Sequence, residues 1–247
     1  MLLACCTAAL AAADDDARSR LLADLQRIEE ATGGRLGVSA LRVKNGERVQ
    51  YNAAARYPMA STFKVPLALL VLDAVDRGAL SLSQKVEIDN LNLSPGSGEI
   101  NKSMDPDAPL ASTVGDLLEA MMRVSDNTAT DHLMERAGGP GAVTQHLRKL
   151  GIAGIDVNRP AAQLVADSWG FKLPPAGQRT RKTLVGLLGR TPQAAREDAA
   201  RRFLADPRDT ATPDAMVLLL EKLVSGQAMT SPSAPARRVI VAASTRN

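Results

Sequence analysis

A long apolar run with a lysine near its start lies in the first half of the chain. The run predicts one helix over residues 61 to 77 that ends at Arg77-Gly78. Lys64 follows Ser61 by one helical turn and has apolar residues around it. A buried lysine costs free energy unless its charge is paired or its proton is used. The sequence therefore predicts that the Lys64 ammonium group has a partner or a chemical task inside the protein.

One helix and one hairpin are predicted ahead of this run. Residues 17 to 32 place their leucine and isoleucine side chains on one helical face, and Gly33-Gly34 ends the pattern. Strand-like segments follow at residues 38 to 43 and 49 to 51, with the turn signal Asn45-Gly46 between them.

Helices dominate the rest of the chain. A short strand is expected in the loop-rich stretch that begins at residue 81. Apolar periodicity predicts further helices over residues 112–123, 127–137, 141–150 and 210–226, with one more short helix near the end of the chain. Residues 165–208 are rich in proline and arginine, and we expect them to form a long excursion with one helix around residues 193–205. The strands thus precede a block of helices, and the predicted fold class is α/β (α+β).

The charge pattern gives little support to a nucleic-acid partner. The 247 residues carry a formal net charge of +3, and aromatic residues make up only 2% of them. A nucleic-acid interface needs a concentrated basic patch, usually with aromatic side chains for stacking. Because the sequence has no such combination, we expect no nucleic-acid partner and assign the excess charge to a solvated basic surface.

The N-terminal segment is typical of an export signal. Residues 1 to 13 are apolar with small residues near their end, so we predict a signal peptide cleaved around Ala11 to Ala13. The segment also resembles a lipoprotein signal, in which Cys5 would be the lipidation site. No later stretch is long and apolar enough to cross a bilayer. The expected location is the periplasm or the exterior.

Ser61 and Lys64 form a candidate nucleophile and base. On a helix, residues at i and i+3 lie on the same face. A neutral Lys64, with its pKa lowered by burial, could take the proton of the Ser61 hydroxyl. A serine at the head of a helix also has main-chain N–H groups beside it that suit an oxyanion. A lone Ser-x-x-Lys often occurs by chance, so a second element is needed.

The second element is Ser125-Asp126-Asn127, at a break between two predicted helices. Asp126 is a good N-cap for the helix that follows. This structural interpretation explains Asp126 and leaves Ser125 and Asn127 without a role.

Ser61-x-x-Lys64 followed by Ser125-Asp126-Asn127 resembles the class A β-lactamases and related penicillin-interacting serine hydrolases. The likeness runs from about residue 17 to the end of the chain, and it includes the stretch from Asp209 to Met216. It implies a β-lactamase/transpeptidase-like fold, in which a helical block packs on an antiparallel sheet.

The resemblance also implies roles for individual residues. Ser61 would be acylated by a β-lactam, Lys64 would be its proton partner, and Ser125 would protonate the departing nitrogen. Asn127 would bind the amide of the substrate side chain. Asp126 would be structural, and so would Arg159 and Asp209, which would pair at the neck of the omega loop. We expect a monomer that needs no cofactor.

Histidine content argues against two other hydrolase classes. His132 and His146 are the only histidines, and both lie within predicted helices. A Ser-His-Asp triad or a zinc lactamase would require histidine in the site. We therefore expect no metal and assign both histidines to the surface or the core.

The omega loop departs from the family pattern Arg-x-Glu-x-x-Leu-Asn. The aligned stretch begins at Arg159, with Ala161 in place of the glutamate and Val165 in place of the asparagine. In the family these two residues hold and activate the water that hydrolyses the acyl-enzyme. Asp167, Glu197 or Asp198 could substitute as the base.

Two further departures concern the excursion and the far end of the sheet. The excursion makes the omega-type loop, residues 159–209, several times longer than in the family. No Lys-Thr-Gly occurs; the nearest match, Lys182-Thr183-Leu184, lies in the wrong region. In the family that motif supplies the cation for the substrate carboxylate and an oxyanion donor, so we expect the C-terminal strands to be missing.

The predicted organisation has two parts after the signal. Residues 14–58 and 209–247 would form a partial α/β subdomain, and residues 59–208 an all-α subdomain. Two functions remain open from the sequence: a serine β-lactamase that turns over its substrate, and a penicillin-binding protein or inactive homologue that does not.

Overall fold

The computed structural model describes residues 2–105 and 107–228, with the side chains described from residue 15 onward. Its ten helices are α1 (Leu2–Thr32), α2 (Lys64–Asp76), α3 (Ile100–Ser103), α4 (Val114–Arg123), α5 (Asn127–Arg136), α6 (Pro140–Lys149), α7 (Ala161–Trp169), α8 (Arg181–Arg190), α9 (Gln193–Ala205) and α10 (Pro213–Ser225). The six strands of this described part are β1 (Val38–Arg42), β2 (Glu47–Tyr51), β3 (Tyr57–Pro58), β4 (Lys85–Ile88), β5 (Leu110–Thr113) and β6 (Thr210–Ala211). A 3₁₀ turn, Ala60–Phe63, leads directly into α2.

The strands form three antiparallel pairs. The hairpin β1–β2 runs in register from Val38 opposite Tyr51 to Arg42 opposite Glu47. The predicted turn lies between them, and Gly46 adopts the left-handed φ of 75° that this turn needs. The pairs β3–β6 and β4–β5 are shorter, and β3–β6 joins the chain before α2 to the chain after α9.

Helix α2 is the centre of the core. Leu67, Leu69 and Leu72 are completely buried, and α4, α5 and α6 pack around them. A helix that is apolar all round is stable only when other elements cover every side of it. The apolar run seen in the sequence therefore determines that the helical block is built around α2.

Helix α10 covers one face of the hairpin. Asp214 accepts hydrogen bonds from Ser39 Oγ at 2.7 Å and from Gln50 Nε2 at 2.8 Å, and Arg48 pairs with Glu221. Apolar side chains remain exposed beside this contact, at Val43, Leu220 and Val224. The mixed architecture, a helical block with antiparallel strands, confirms the predicted fold class.

Several element predictions need correction. The omega-type loop, residues 159–209, contains three helices, α7, α8 and α9, where one was expected. The short strand expected after residue 81 is β4, and it pairs with β5, which was not predicted because Thr113, its last residue, also caps α4. The helix expected at residues 17–32 extends back to Leu2. The last predicted helix lies outside the described residues.

Candidate active site

The 3₁₀ turn holds Ser61 at the surface and Lys64 in the interior. Ser61 is exposed, whereas Phe63 is 2% and Lys64 3% exposed. Ala60 has a left-handed φ of 45°, which is strained for a residue with a Cβ. Strain of this kind persists only where the surroundings enforce it, and it is concentrated at functional sites. The local backbone thus separates the hydroxyl from the ammonium group.

Lys64 donates three hydrogen bonds. Its Nζ lies 2.7 Å from the main-chain oxygen of Ser125, 2.8 Å from Ser125 Oγ and 2.7 Å from Asn127 Oδ1. An ammonium group has three protons, so these three acceptors satisfy it. The partner that the sequence required for the lysine is therefore the Ser125–Asn127 segment.

Burial lowers the pKa of Lys64 from 10.5 to about 8, against the opposing effect of the Asp126 and Asp131 carboxylates. Desolvation favours the neutral amine because the charged form loses its water. About a tenth of the molecules would then carry a neutral Lys64 at pH 7. The amine is thus available as a base near neutral pH.

Ser125 lies between the other two groups. Its Oγ donates to Ser61 Oγ at 3.0 Å and accepts from Lys64 Nζ. Ser125 has a left-handed φ of 56°, and Ser97 Oγ donates to its main-chain oxygen at 2.8 Å. In the described part of the chain, the Ser61 hydroxyl and the Lys64 ammonium group are therefore connected by two hydrogen bonds through Ser125 Oγ.

Asn127 is buried at the start of α5 and is 5% exposed. Besides accepting from Lys64, it donates through Nδ2 to the main-chain oxygen of Pro95 at 2.8 Å. The amide Nδ2 carries a second hydrogen. Asn127 also lines the pocket beside Ser61, so it lies where a substrate-binding residue was expected.

Asp126 is the N-cap of α5, as predicted. Its Oδ1 accepts from Ala129 N, and its Oδ2 accepts from Ile100 N, both at 2.9 Å. The second bond fixes the first residue of α3 to the start of α5. Because Asp126 is 1% exposed, both bonds are shielded from water.

The expected Arg159–Asp209 ion pair is present and belongs to a larger cluster. Arg159 Nε lies 2.6 Å from Asp209 Oδ2, and Nη1 lies 2.6 Å from Asp167 Oδ2 and 3.1 Å from Asp206 Oδ2. The Arg159 guanidinium also lies 5.5 Å from the Phe203 ring centre. One buried cation thus ties together the two ends of the excursion, α7 and the end of α9.

Sequence reasoning missed Asp131 and Asp206, and it named Asp167 only as a possible base and not as a partner of Arg159. The buried Asp131 carboxylate accepts from Ser94 Oγ at 2.7 Å and from the main-chain N–H groups of Ala161 and Ala162. Burial raises the pKa of Asp131. An aspartate four residues into a predicted helix gives no sequence signal for these contacts, because its partners lie 30 or more residues away in the sequence.

A pocket of about 380 Å³ opens beside Ser61. Its walls include Val165 and Trp169 from α7, Leu188 from α8 and Phe203 from α9. None of the described residues that line it carries a charge. The pocket is therefore an apolar cleft with the Ser61 hydroxyl at one side.

The three acids suggested as substitute bases lie elsewhere. Asp167 is paired with Arg159 and also accepts from Gln163 Nε2 at 2.6 Å. Glu197 accepts from Gln193 on the exposed side of α9, and Asp198 pairs with arginines of the same helix. The structure does not bring any of the three to the pocket.

The comparisons with known proteins agree with this geometry. A family model described as the β-lactamase enzyme family matches residues 20–243. This chain belongs to the β-lactamase family. The match covers the motif residues, the excursion and both ends of the omega-type loop.

Individual relatives come from several bacteria. The chain is 30% identical over 219 residues to β-lactamase L2 of Stenotrophomonas maltophilia, which covers 89% of this chain and 59% of that protein. It is 31% identical over 207 residues to β-lactamase CARB-3 of Pseudomonas aeruginosa, covering 83% and 58%. The chain thus spans less than two thirds of the length of these curated relatives.

Solved structures place the fold within class A. An ancestral class A β-lactamase is 30% identical, with a TM-score of 0.67 over 90% of this chain and 70% of that structure. The chromosome-encoded β-lactamase of Vibrio parahaemolyticus is 28% identical, with a TM-score of 0.66 over 90% and 69%. The class A resemblance read from the sequence is confirmed.

Among the described residues, no helix is both long enough and apolar enough to cross a membrane.

Proposed function

We propose that the protein is acylated on Ser61 by β-lactams and that the resulting ester is hydrolysed slowly. The observation that carries this proposal is the hydrogen-bonded chain from Ser61 Oγ through Ser125 Oγ to Lys64 Nζ, which ends on an amine with a pKa of about 8. A hydroxyl becomes an effective nucleophile when a base near its operating pH can accept the proton.

During acylation, protons move along the hydrogen-bonded chain Ser61–Ser125–Lys64 first toward Lys64 and then back. Neutral Lys64 takes a proton from Ser125, and Ser125 takes one from Ser61 as Ser61 Oγ attacks the lactam carbonyl. The carbon–nitrogen bond then breaks, Ser125 protonates the departing nitrogen, and Ser125 regains a proton from Lys64. The main-chain N–H of Ser61, in the first turn of its helix, is a candidate donor to the oxyanion.

Substrate recognition in this proposal involves Asn127 and the apolar pocket. Asn127 lines the pocket beside Ser61, and its side-chain oxygen accepts a hydrogen bond from Lys64. Lys182 and Thr183, the nearest match to the family's Lys-Thr-Gly, lie in the first turn of α8 and do not line the pocket beside Ser61.

Hydrolysis of the ester is the step that this chain supports least. Ala161 and Val165 line the pocket beside Ser61 where the family has its water-activating pair. Losing a general base slows a step by about two to four decades. This favours a long-lived acyl-enzyme over rapid turnover, and it supports the penicillin-binding alternative for this chain.

Export is part of the proposal. The apolar N-terminal segment, with cleavage around Ala11 to Ala13, would place the protein in the periplasm or outside the cell, where β-lactams are encountered. Processing at Cys5 as a lipoprotein would instead attach it to a membrane. We expect a monomer in either case.

Labelling with a fluorescent penicillin tests the assignment of Ser61. The wild-type protein should become labelled, and Ser61→Ala should not. Thr62→Val is the matched control, because it removes the neighbouring hydroxyl, which donates to the Met59 oxygen and not toward Ser125. Labelling of Ser61→Ala at the wild-type level would overturn the proposal.

A further inference from the structure

A second cavity lies between α8 and the segment that joins β4 to β5. Its volume is about 730 Å³; Leu91, Leu93 and Met104 line it on the side of that segment, and Val185 lines it on the side of α8. None of the described residues that line it also lines the pocket beside Ser61. This space, the α8 cavity, is therefore distinct from the candidate active site.

Main-chain hydrogen bonds join the two sides of the α8 cavity. Arg179, just ahead of α8, donates through its main-chain N–H to the Leu91 oxygen at 2.7 Å, and its own oxygen accepts from the Leu93 N–H at 3.1 Å. The Gly177 N–H donates to Asn92 Oδ1 at 2.7 Å. These three bonds tie the excursion to the opposite wall, so the cavity does not depend on a ligand for its shape.

The apolar walls of the cavity are only partly covered by protein. Leu91 is 40% and Val185 60% exposed, although both line the same space. Covering such side chains with an apolar group is favourable because it removes their surface from water. The volume lies within the range of about 300–1,000 Å³ that is usual for small-molecule sites. The cavity is therefore suited to a small molecule with an apolar body.

Two cations lie one helical turn from Val185 on the same side of α8. Arg181 precedes Val185 by four residues and Lys182 by three, and both line the cavity. Arg181 Nη1 donates to the main-chain oxygen of Lys102 at 3.2 Å, and its other guanidinium N–H groups have no acceptor among the described residues. Lys182 is exposed and has neither a hydrogen-bond nor an ion-pair partner in the described part of the chain. A ligand that lies along α8 with its apolar body on Val185 would place its polar end beside these cations.

One carboxylate, that of Asp105, also lines the cavity. Its Oδ1 accepts from the Asp107 N–H at 2.8 Å, so this group already has a partner in its own turn. The charged residues among the described lining are thus two cations and one anion. This balance favours an anionic ligand over a cationic one.

We propose that the α8 cavity binds a small carboxylate with an apolar chain. The chain lies against Leu91 and Val185, and the carboxylate pairs with Arg181 and Lys182. Hydrogen bonds between a carboxylate and these cations are charge-assisted and stronger than those to a neutral polar group. The site does not depend on the reaction at Ser61, because the two cavities have separate linings.

Three probes with nearly the same alkyl chain test the chemistry on the full chain: octanoate, octan-1-ol and octylammonium. Their affinities are measured at pH 7 by isothermal titration calorimetry. We expect octanoate to bind about tenfold more tightly than the alcohol and at least about tenfold more tightly than the ammonium compound. Failure of octanoate to bind, or binding of octylammonium with equal or higher affinity, would overturn the proposal.

Two valines provide a matched pair of variants for the location of the site. Val185→Asp puts a carboxylate on the cavity wall and should weaken octanoate binding at least about tenfold. Val224→Asp makes the same change on α10, where Val224 is also 60% exposed and does not line the cavity, and should leave the affinity unchanged. Loss of octanoate affinity in Val224→Asp, with none in Val185→Asp, would place the bound molecule at the apolar surface beside β1 and overturn the proposal.

Two exposed lysines of the excursion test the role of charge. Lys182→Gln should weaken octanoate binding about two- to fivefold and leave octanol binding unchanged. Lys172→Gln, at an exposed lysine that does not line the cavity, should change neither affinity. If Val185→Asp does not fold, the wild-type preference for octanoate and the Lys182→Gln result decide. Equal octanoate affinity in Lys182→Gln and Lys172→Gln would overturn the assigned position of the carboxylate.

Discussion

The acylation rate should follow the titration of Lys64. The relevant perturbation is pH, because only the neutral amine accepts the Ser61 proton through Ser125. With a pKa of about 8 for Lys64, the neutral fraction is about 1% at pH 6, 10% at pH 7, 50% at pH 8 and 90% at pH 9. The rate should therefore rise about tenfold from pH 6 to 7, about fivefold from pH 7 to 8, and less than about twofold from pH 8 to 9.

Single-turnover acylation by benzylpenicillin, followed by intact mass from pH 5.5 to 9.5, measures this profile. Lys64→Arg is the comparison variant, because arginine keeps its charge throughout this range and should give a slow, flat profile. A wild-type acylation rate that does not change with pH would refute Lys64 as the base. A rate that rises as steeply between pH 9 and 9.5 as between pH 6 and 7 would refute it too.

Further predictions concern the supports of the site. Arg159→Ala should lower the free energy of unfolding in urea by about 3 kcal/mol, because it leaves the buried Asp209 carboxylate without its ion-pair partner; an unchanged midpoint would contradict the cluster's role. Asp126→Ala should cost about 1–3 kcal/mol in the same assay, since two buried N–H groups lose their acceptor. Ala161→Glu combined with Val165→Asn should shorten the acyl-enzyme lifetime by about two decades if the missing pair explains slow hydrolysis. The protein should bind a hydrophobic dye, because the apolar side chains of Val43, Leu220 and Val224 are exposed beside β1 and α10; absence of dye fluorescence would contradict this.

Features with a local cause were predictable from the sequence. The N-cap at Asp126 depends on one side chain and the main chain three residues later, and the hairpin depends on Asn45-Gly46. The run of apolar residues that forms α2 was enough to predict that helix. The ion pair of Arg159 with Asp209 could be expected because both residues match the ends of a known loop.

Features that depend on tertiary placement could not be predicted. The hydrogen-bonded chain through Ser125 requires a left-handed φ at that residue, which no sequence pattern near it signals. The apolar cleft combines side chains from α7, α8 and α9, and α8 was missed because its apolar face is interrupted by glycine and threonine. Asp131 is bonded to residues that lie thirty positions away.

The lifetime of the Ser61 ester tests the account most directly. The protein is mixed with an excess of benzylpenicillin, the free drug is removed, and the acylated fraction is followed by intact mass with peptide mapping of residues 59–77. The account predicts an adduct with the full mass of the drug on Ser61 that persists far longer than the time needed to form it. Rapid, repeated turnover of the drug with no accumulated adduct would contradict it.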